Sequence, residues 1–183
     1  MPSKRFKLIV AVMAVLTVAT YIAEPFVGAR SYDELRPAAP FALATIDGTT
    51  FSLGEHNRSV ILLDFMATWC PPCRETTHQL QTVRATNLAG AVKIVSVDVD
   101  FTETSDQLAQ FRISVAGYNG SAEADGWYFA LDTPGEYVGP KYGANALPTL
   151  VLVDTQGNIR HSWIGITQAS EIQRAIDEAL RPA

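Results

Sequence analysis

A continuous apolar run from Val60 to Met66 leads within four residues into Cys70-Pro71-Pro72-Cys73, and a helical pattern follows. The run lacks the in-and-out alternation of a half-exposed strand, so it predicts a strand covered on both faces. Proline is tolerated in a first helical turn, so a helix can start at Pro71 and run to about Leu88, with Gly90 to end it. Cys70 then stands at the helix start, where the dipole favours thiolate over thiol. Cys73 lies one turn on, on the same face, close enough to close a small disulfide ring. The arrangement predicts thiol–disulfide exchange: Cys70 attacks, a mixed disulfide forms, and Cys73 resolves it.

These are the only cysteines among 183 residues. A bridge closing so short a loop removes little unfolded-state entropy and stabilises weakly. The spacing suits a redox pair better than a structural staple.

The remaining pattern supplies the layers such a strand needs. Residues 41–46 and 49–53 read as two short strands around an Asp47-Gly48 turn, an N-terminal β-hairpin. Residues 92–99 and 150–154 read as further buried strands, with 159–164 as an antiparallel partner. Residues 127–131 suit a short strand. Helices are expected over 104–115, 134–142 and 170–180. Strands alternating with helices predict an α/β fold, a mixed central sheet with helices on both faces.

The N-terminus is different. Lys4, Arg5 and Lys7 precede an apolar run over residues 8–23, a pattern that keeps this end in the cytoplasm and exports the rest. Residues 1–29 are expected to be a signal anchor holding the protein in the membrane through residues 8–23. The alternative is a signal peptide cleaved near Val27-Gly28-Ala29, leaving a secreted or periplasmic protein. The length of the run favours the anchor. Residues 30–37, in a stretch of prolines and mixed charges, are expected to be a linker, and residues 38–183 the domain. Beyond residue 30 the chain holds 10 basic and 18 acidic residues, a net charge of −8. Nucleic-acid binding needs clustered Lys and Arg, so no nucleic-acid partner is expected.

Asp64 through Cys73, with Leu147-Pro148-Thr149 about 75 residues later leading into a strand, resembles the thioredoxin fold. The hairpin, the N-terminal segment and Leu131-Asp132-Thr133 are similar to its membrane-tethered extracytoplasmic branch, the TlpA- and ResA-like thiol–disulfide oxidoreductases. The resemblance covers about residues 38–181. It implies reduction of disulfides in exported proteins, in some relatives during cytochrome c maturation, with electrons from a membrane thiol-transfer reductant. No cofactor is implied. It makes Cys70 the exposed nucleophile and Cys73 the buried resolving thiol. Pro148 becomes a cis-proline facing the disulfide, and Leu147 offers backbone groups to a substrate strand. Trp69 and Pro71 flank the site, although Trp69 reads equally well as an ordinary core aromatic.

Three positions depart from that branch. Asp64 replaces a frequent asparagine; a carboxylate on a buried strand should have a raised pKa and can relay the proton of the resolving thiol. Thr76 stands where a glutamate is frequent, and Glu75 falls on another helix face. His78 replaces a kinking proline and reads as an exposed helix residue. Pro71 and Pro72 lack N–H groups, which lowers thiolate stabilisation at Cys70 and favours a reducing couple. Arg74 pushes the other way by charge.

The rival reading is a copper- or zinc-binding thiol module on the same fold. Such modules usually place three residues between the cysteines. His56, His78 and His161 show no ligand spacing, so no metal ligands are assigned.

Overall fold

The strand that leads to the cysteines forms as the apolar run predicts. β4 (Val60–Met66) is buried at every residue and lies inside a six-stranded sheet. The other strands are β1 (Arg30–Pro37), β5 (Val92–Asp98), β6 (Trp127–Leu131), β7 (Thr149–Val153) and β8 (Asn158–Ile164), in the order β1-β8-β7-β4-β5-β6. β4, β5 and β6 run parallel, while β7 pairs antiparallel with both β4 and β8. β2 (Ala42–Ala44) and β3 (Thr50–Ser52) form the separate hairpin, with Gly48 at φ 79° in its turn. This is a thioredoxin-like α/β fold with a mixed sheet.

The computed structural model describes residues 30–56, 58–87, 90–117, 120 and 125–181. The expected membrane segment, residues 8–23, lies outside the described residues. Among the described residues no helix is long and apolar enough to cross a membrane.

Alternate residues of each strand serve different layers. Val60, Leu62 and Met66 of β4 pack under three helices, α1 (Pro71–Thr86), α2 (Ser105–Ser114) and α4 (Ala169–Ala179). Ile61, Leu63 and Phe65 face the hairpin and the four-residue α3 (Val138–Lys141). Helices therefore cover both faces, unequally.

Three expectations are corrected. Residues 30–37, read as linker, are strand β1, paired antiparallel with β8 from Arg30–Ile164 to Pro37–Asn158. The edge of β8 offers unpaired backbone groups, and a proline is tolerated where an edge strand ends. α1 stops at Thr86 because the Asn87 side chain caps it, its amide donating to the Val83 carbonyl at 2.7 Å. The helix expected over 134–142 shrinks to α3. Buried Asp132 accepts the N–H groups of Thr133, Val138 and Gly139 at 2.8, 3.0 and 2.9 Å, which shapes the residues before α3 into a turn.

Candidate active site

Where β4 ends, Ala67 accepts the N–H of Cys70 at 3.1 Å, turning the chain into α1. Cys70 is the residue that caps α1, in extended geometry. With prolines at the next two positions, the helix donor that reaches the Cys70 sulfur is the N–H of Cys73, at 3.2 Å. The two cysteines form a disulfide, their Cα atoms 5.2 Å apart. Cys73 is 0% exposed and Cys70 3%, so the exposed Cys70 implied by the resemblance is not present in this oxidised form. Pro71, next to the buried Cys70, is exposed.

Asp64 occupies the sheet face covered by α1, between Leu62 and Met66, and is fully buried. One carboxylate oxygen accepts the Ser96 hydroxyl at 2.8 Å, and Ser96 in turn accepts the Trp127 indole N–H at 3.1 Å. The other, Oδ1, has no hydrogen-bond partner. Burial pushes the Asp64 carboxyl up to about 7, and the Ser96 bond only partly opposes it. Leu147 and Pro148 are joined by a cis peptide bond. Pro148 is buried, and half-buried Leu147 packs against the cluster that contains both cysteines.

Residues 32–176 match the profile of the Redoxin family. The chain belongs to the Redoxin family. Sporulation thiol-disulfide oxidoreductase A of Bacillus subtilis is 28% identical over 155 residues, 84% of this chain and 88% of the relative. Thiol-disulfide oxidoreductase ResA of Halalkalibacterium halodurans is 24% identical over 159 residues, 85% of this chain and 84% of the relative. A thiol:disulfide interchange protein of the thioredoxin family from Chlorobium tepidum superposes with a TM-score of 0.67 at 22% identity, covering 82% of this chain and 99% of that one. This Redoxin-family protein is a thiol–disulfide oxidoreductase.

The Redoxin site has a side that the sequence reading missed. Trp69 is no core aromatic: it is 64% exposed, and its indole N–H donates to Asp100 at 2.7 Å. Glu103 accepts both the N–H of Thr68, at 2.8 Å, and the Thr68 hydroxyl. The loop after β5 thus holds the two residues that precede Cys70. Asp98, which accepts the Asp100 N–H at 3.0 Å, is buried beside them. Burial, and then the Glu103 carboxyl, push the Asp98 carboxyl up to about 8. The available signal was three acids, Asp98, Asp100 and Glu103, within six residues at the end of a buried strand.

The flagged helix residues separate as their spacing suggested. Thr76 is fully buried with an unpartnered hydroxyl, while Glu75 is exposed and bonded to Gln79 at 2.9 Å. His78 is exposed. His56 stacks on Phe51 at 4.6 Å and His161 on Trp163 at 5.4 Å, so the three histidines lie in separate packing environments. Among the described residues no group of three or more His, Cys, Asp or Glu could hold a metal ion. The Arg74 guanidinium lies over the Phe111 ring at 5.8 Å.

Proposed function

We propose that Cys70-Pro71-Pro72-Cys73 is the active site of a reductase for disulfides in exported proteins, held at the extracytoplasmic side of a membrane by residues 8–23. The observation that carries this reading is the Cys70–Cys73 disulfide at the start of α1, with a buried Asp64 on the sheet face that α1 covers. In the reduced protein, the Cys70 thiolate attacks a substrate sulfur. The substrate S–S bond breaks, one substrate thiolate leaves, and a mixed disulfide forms. Cys73 gives its proton to the Asp64 carboxylate and attacks the Cys70 sulfur. The second substrate thiolate leaves, and the domain is left with the Cys70–Cys73 bond. Two electrons have passed to the substrate, and a membrane dithiol donor returns them.

Two features support the direction and the relay. The prolines leave one N–H on the Cys70 sulfur, and weak thiolate stabilisation makes a reducing couple. A carboxyl near 7 can both accept and release a proton at neutral pH. Pro148 and Leu147 would receive the substrate backbone, and Trp69 and Pro71 would frame the sulfur.

Cys70→Ser should abolish reduction of a disulfide-bonded protein, and Cys73→Ser should accumulate mixed disulfides visible on non-reducing gels. Alkylation of the reduced domain near neutral pH should label Cys70 first. Preferential labelling of Cys73 would reverse the roles. A reduction potential in the range of oxidising catalysts would reject the reductase direction. Cell fractionation with N-terminal sequencing separates the anchor from a cleaved signal: a soluble form beginning near Arg30 removes the tether and leaves the redox chemistry standing.

A further inference from the structure

Tyr137 is the only residue other than glycine at positive φ among the described residues, at 47°. A left-handed side chain costs energy that glycine would avoid. The conformation is imposed by Asp132, whose carboxylate holds the N–H groups on either side of it. The ring gains little burial in return, being 47% exposed. It meets the edge of Phe101, also 47% exposed, with ring centroids 5.5 Å apart. Phe101 directly follows Asp100, and Asp100 holds the indole of Trp69, the residue before Cys70. Trp69 is thus linked through Asp100 to the Phe101–Tyr137 pair, and these three are the only exposed large aromatic residues described.

The link itself is a carboxylate. Asp100 accepts the Thr102 N–H and hydroxyl at 2.9 and 2.7 Å and the Trp69 indole at 2.7 Å, all donors that favour its ionised form. Glu136, beside Tyr137, is already paired with Lys141 at 3.4 Å. Aromatic faces attract cations, and a fixed carboxylate between them adds to that field. The chain beyond residue 30 carries a net charge of −8, which draws the same kind of ligand.

We propose that the Trp69–Phe101–Tyr137 ledge is a recognition surface for a Lys or Arg side chain of the substrate polypeptide close to its disulfide. This rests on Cys70 being the attacking thiol. The ledge selects among polypeptides; the thiol chemistry is untouched by it.

The test is a single turnover of pre-reduced protein with two disulfide-linked model peptides, identical except for Arg or Gln two residues from the cysteine. The wild type should react about tenfold faster with the Arg peptide at low salt, and the ratio should shrink in high salt. Phe101→Ala should bring the ratio close to one. So should Tyr137→Gly, which removes a ring while suiting the positive φ, and thermal melts verify that both variants stay folded. Equal rates for the two peptides in the wild type, or an unchanged ratio in both folded variants, would overturn the ledge. Failure of the wild type to reduce either peptide would instead overturn the assignment of Cys70, and the ledge with it.

Discussion

The two faces of the central sheet are built to different rules. Beneath the hairpin, aromatic rings interlock: Phe51 lies 4.8 Å from Tyr128, and Tyr142 packs 5.9 Å from Phe41 and 5.7 Å from Phe65. The Tyr142 hydroxyl donates to the Ala39 carbonyl at 2.7 Å. Beneath α1 the core is interrupted. Asp64 and Thr76 each bury a polar atom with no partner, on the same side as both cysteines. An orphaned buried polar group costs about 1–3 kcal/mol. Among the described residues, no such atom belongs to the cluster on the opposite face. One face supplies stability, and the other carries the groups that react.

The largest effect should come from the structural face. Phe51→Ala removes a fully buried ring that touches Phe41, His56 and Tyr128. It should cost about 3–5 kcal/mol in denaturant unfolding. The alkylation rate of Cys70 in the folded, reduced variant should stay as in the wild type. A changed rate would mean that the two faces are not independent.

Asp64→Asn probes the reactive face and should have the opposite sign. Because the native carboxyl is raised to about 7, the folded state holds a proton that the unfolded chain has lost between about pH 4 and 7. Wild-type stability therefore falls as pH rises through that window, by about 4 kcal/mol from this group. Asparagine removes the fall but leaves an amide donor unpaired where Oδ1 stands, at about 1–3 kcal/mol. The variant should be about 1–3 kcal/mol more stable than wild type at pH 8 and less stable at pH 4. Its thiol–disulfide exchange should slow at neutral pH. Parallel stability curves for the two proteins across this range would show that Asp64 does not titrate there, and unchanged exchange kinetics would leave it a structural residue.

The smallest effect tests the ledge. Tyr137→Gly relieves left-handed strain but gives the unfolded chain more freedom, for a net gain of about 0.5–1 kcal/mol. A rise in melting temperature would fit a residue kept for its exposed ring. A fall would mean that Tyr137 supports the fold.

Much of this was legible because local pattern and tertiary demand agree. The apolar run of β4, the prolines after Cys70 and the Asp47-Gly48 turn each specify a conformation that the sheet also requires. β1 was not legible: nothing within residues 30–37 reveals that β8 has an open edge. Trp69 has the composition of a core residue, and its exposure is fixed by Asp100, 31 residues away. Burial of Asp64 followed from its strand, but its bond to Ser96 depends on the register between β4 and β5. Tyr137 carries no signal at all, since tyrosine has no preference for the left-handed region and Asp132 imposes it through the backbone.

The register of β1 also settles which way an anchored molecule would look. Arg30 lies opposite Ile164, Ile164 opposite Thr149, and Thr149 opposite Phe65, one residue before β4 ends. The chain therefore enters the sheet at the end from which Cys70 emerges, three strand spacings or about 14 Å to the side. With residues 8–23 in a bilayer, the six residues 24–29 can reach no more than about 20 Å however they are arranged. If residues 8–23 anchor the protein as proposed, so short a leash, fastened at that end, would turn the Cys70 end of the sheet toward the lipid surface and leave the far end pointing away.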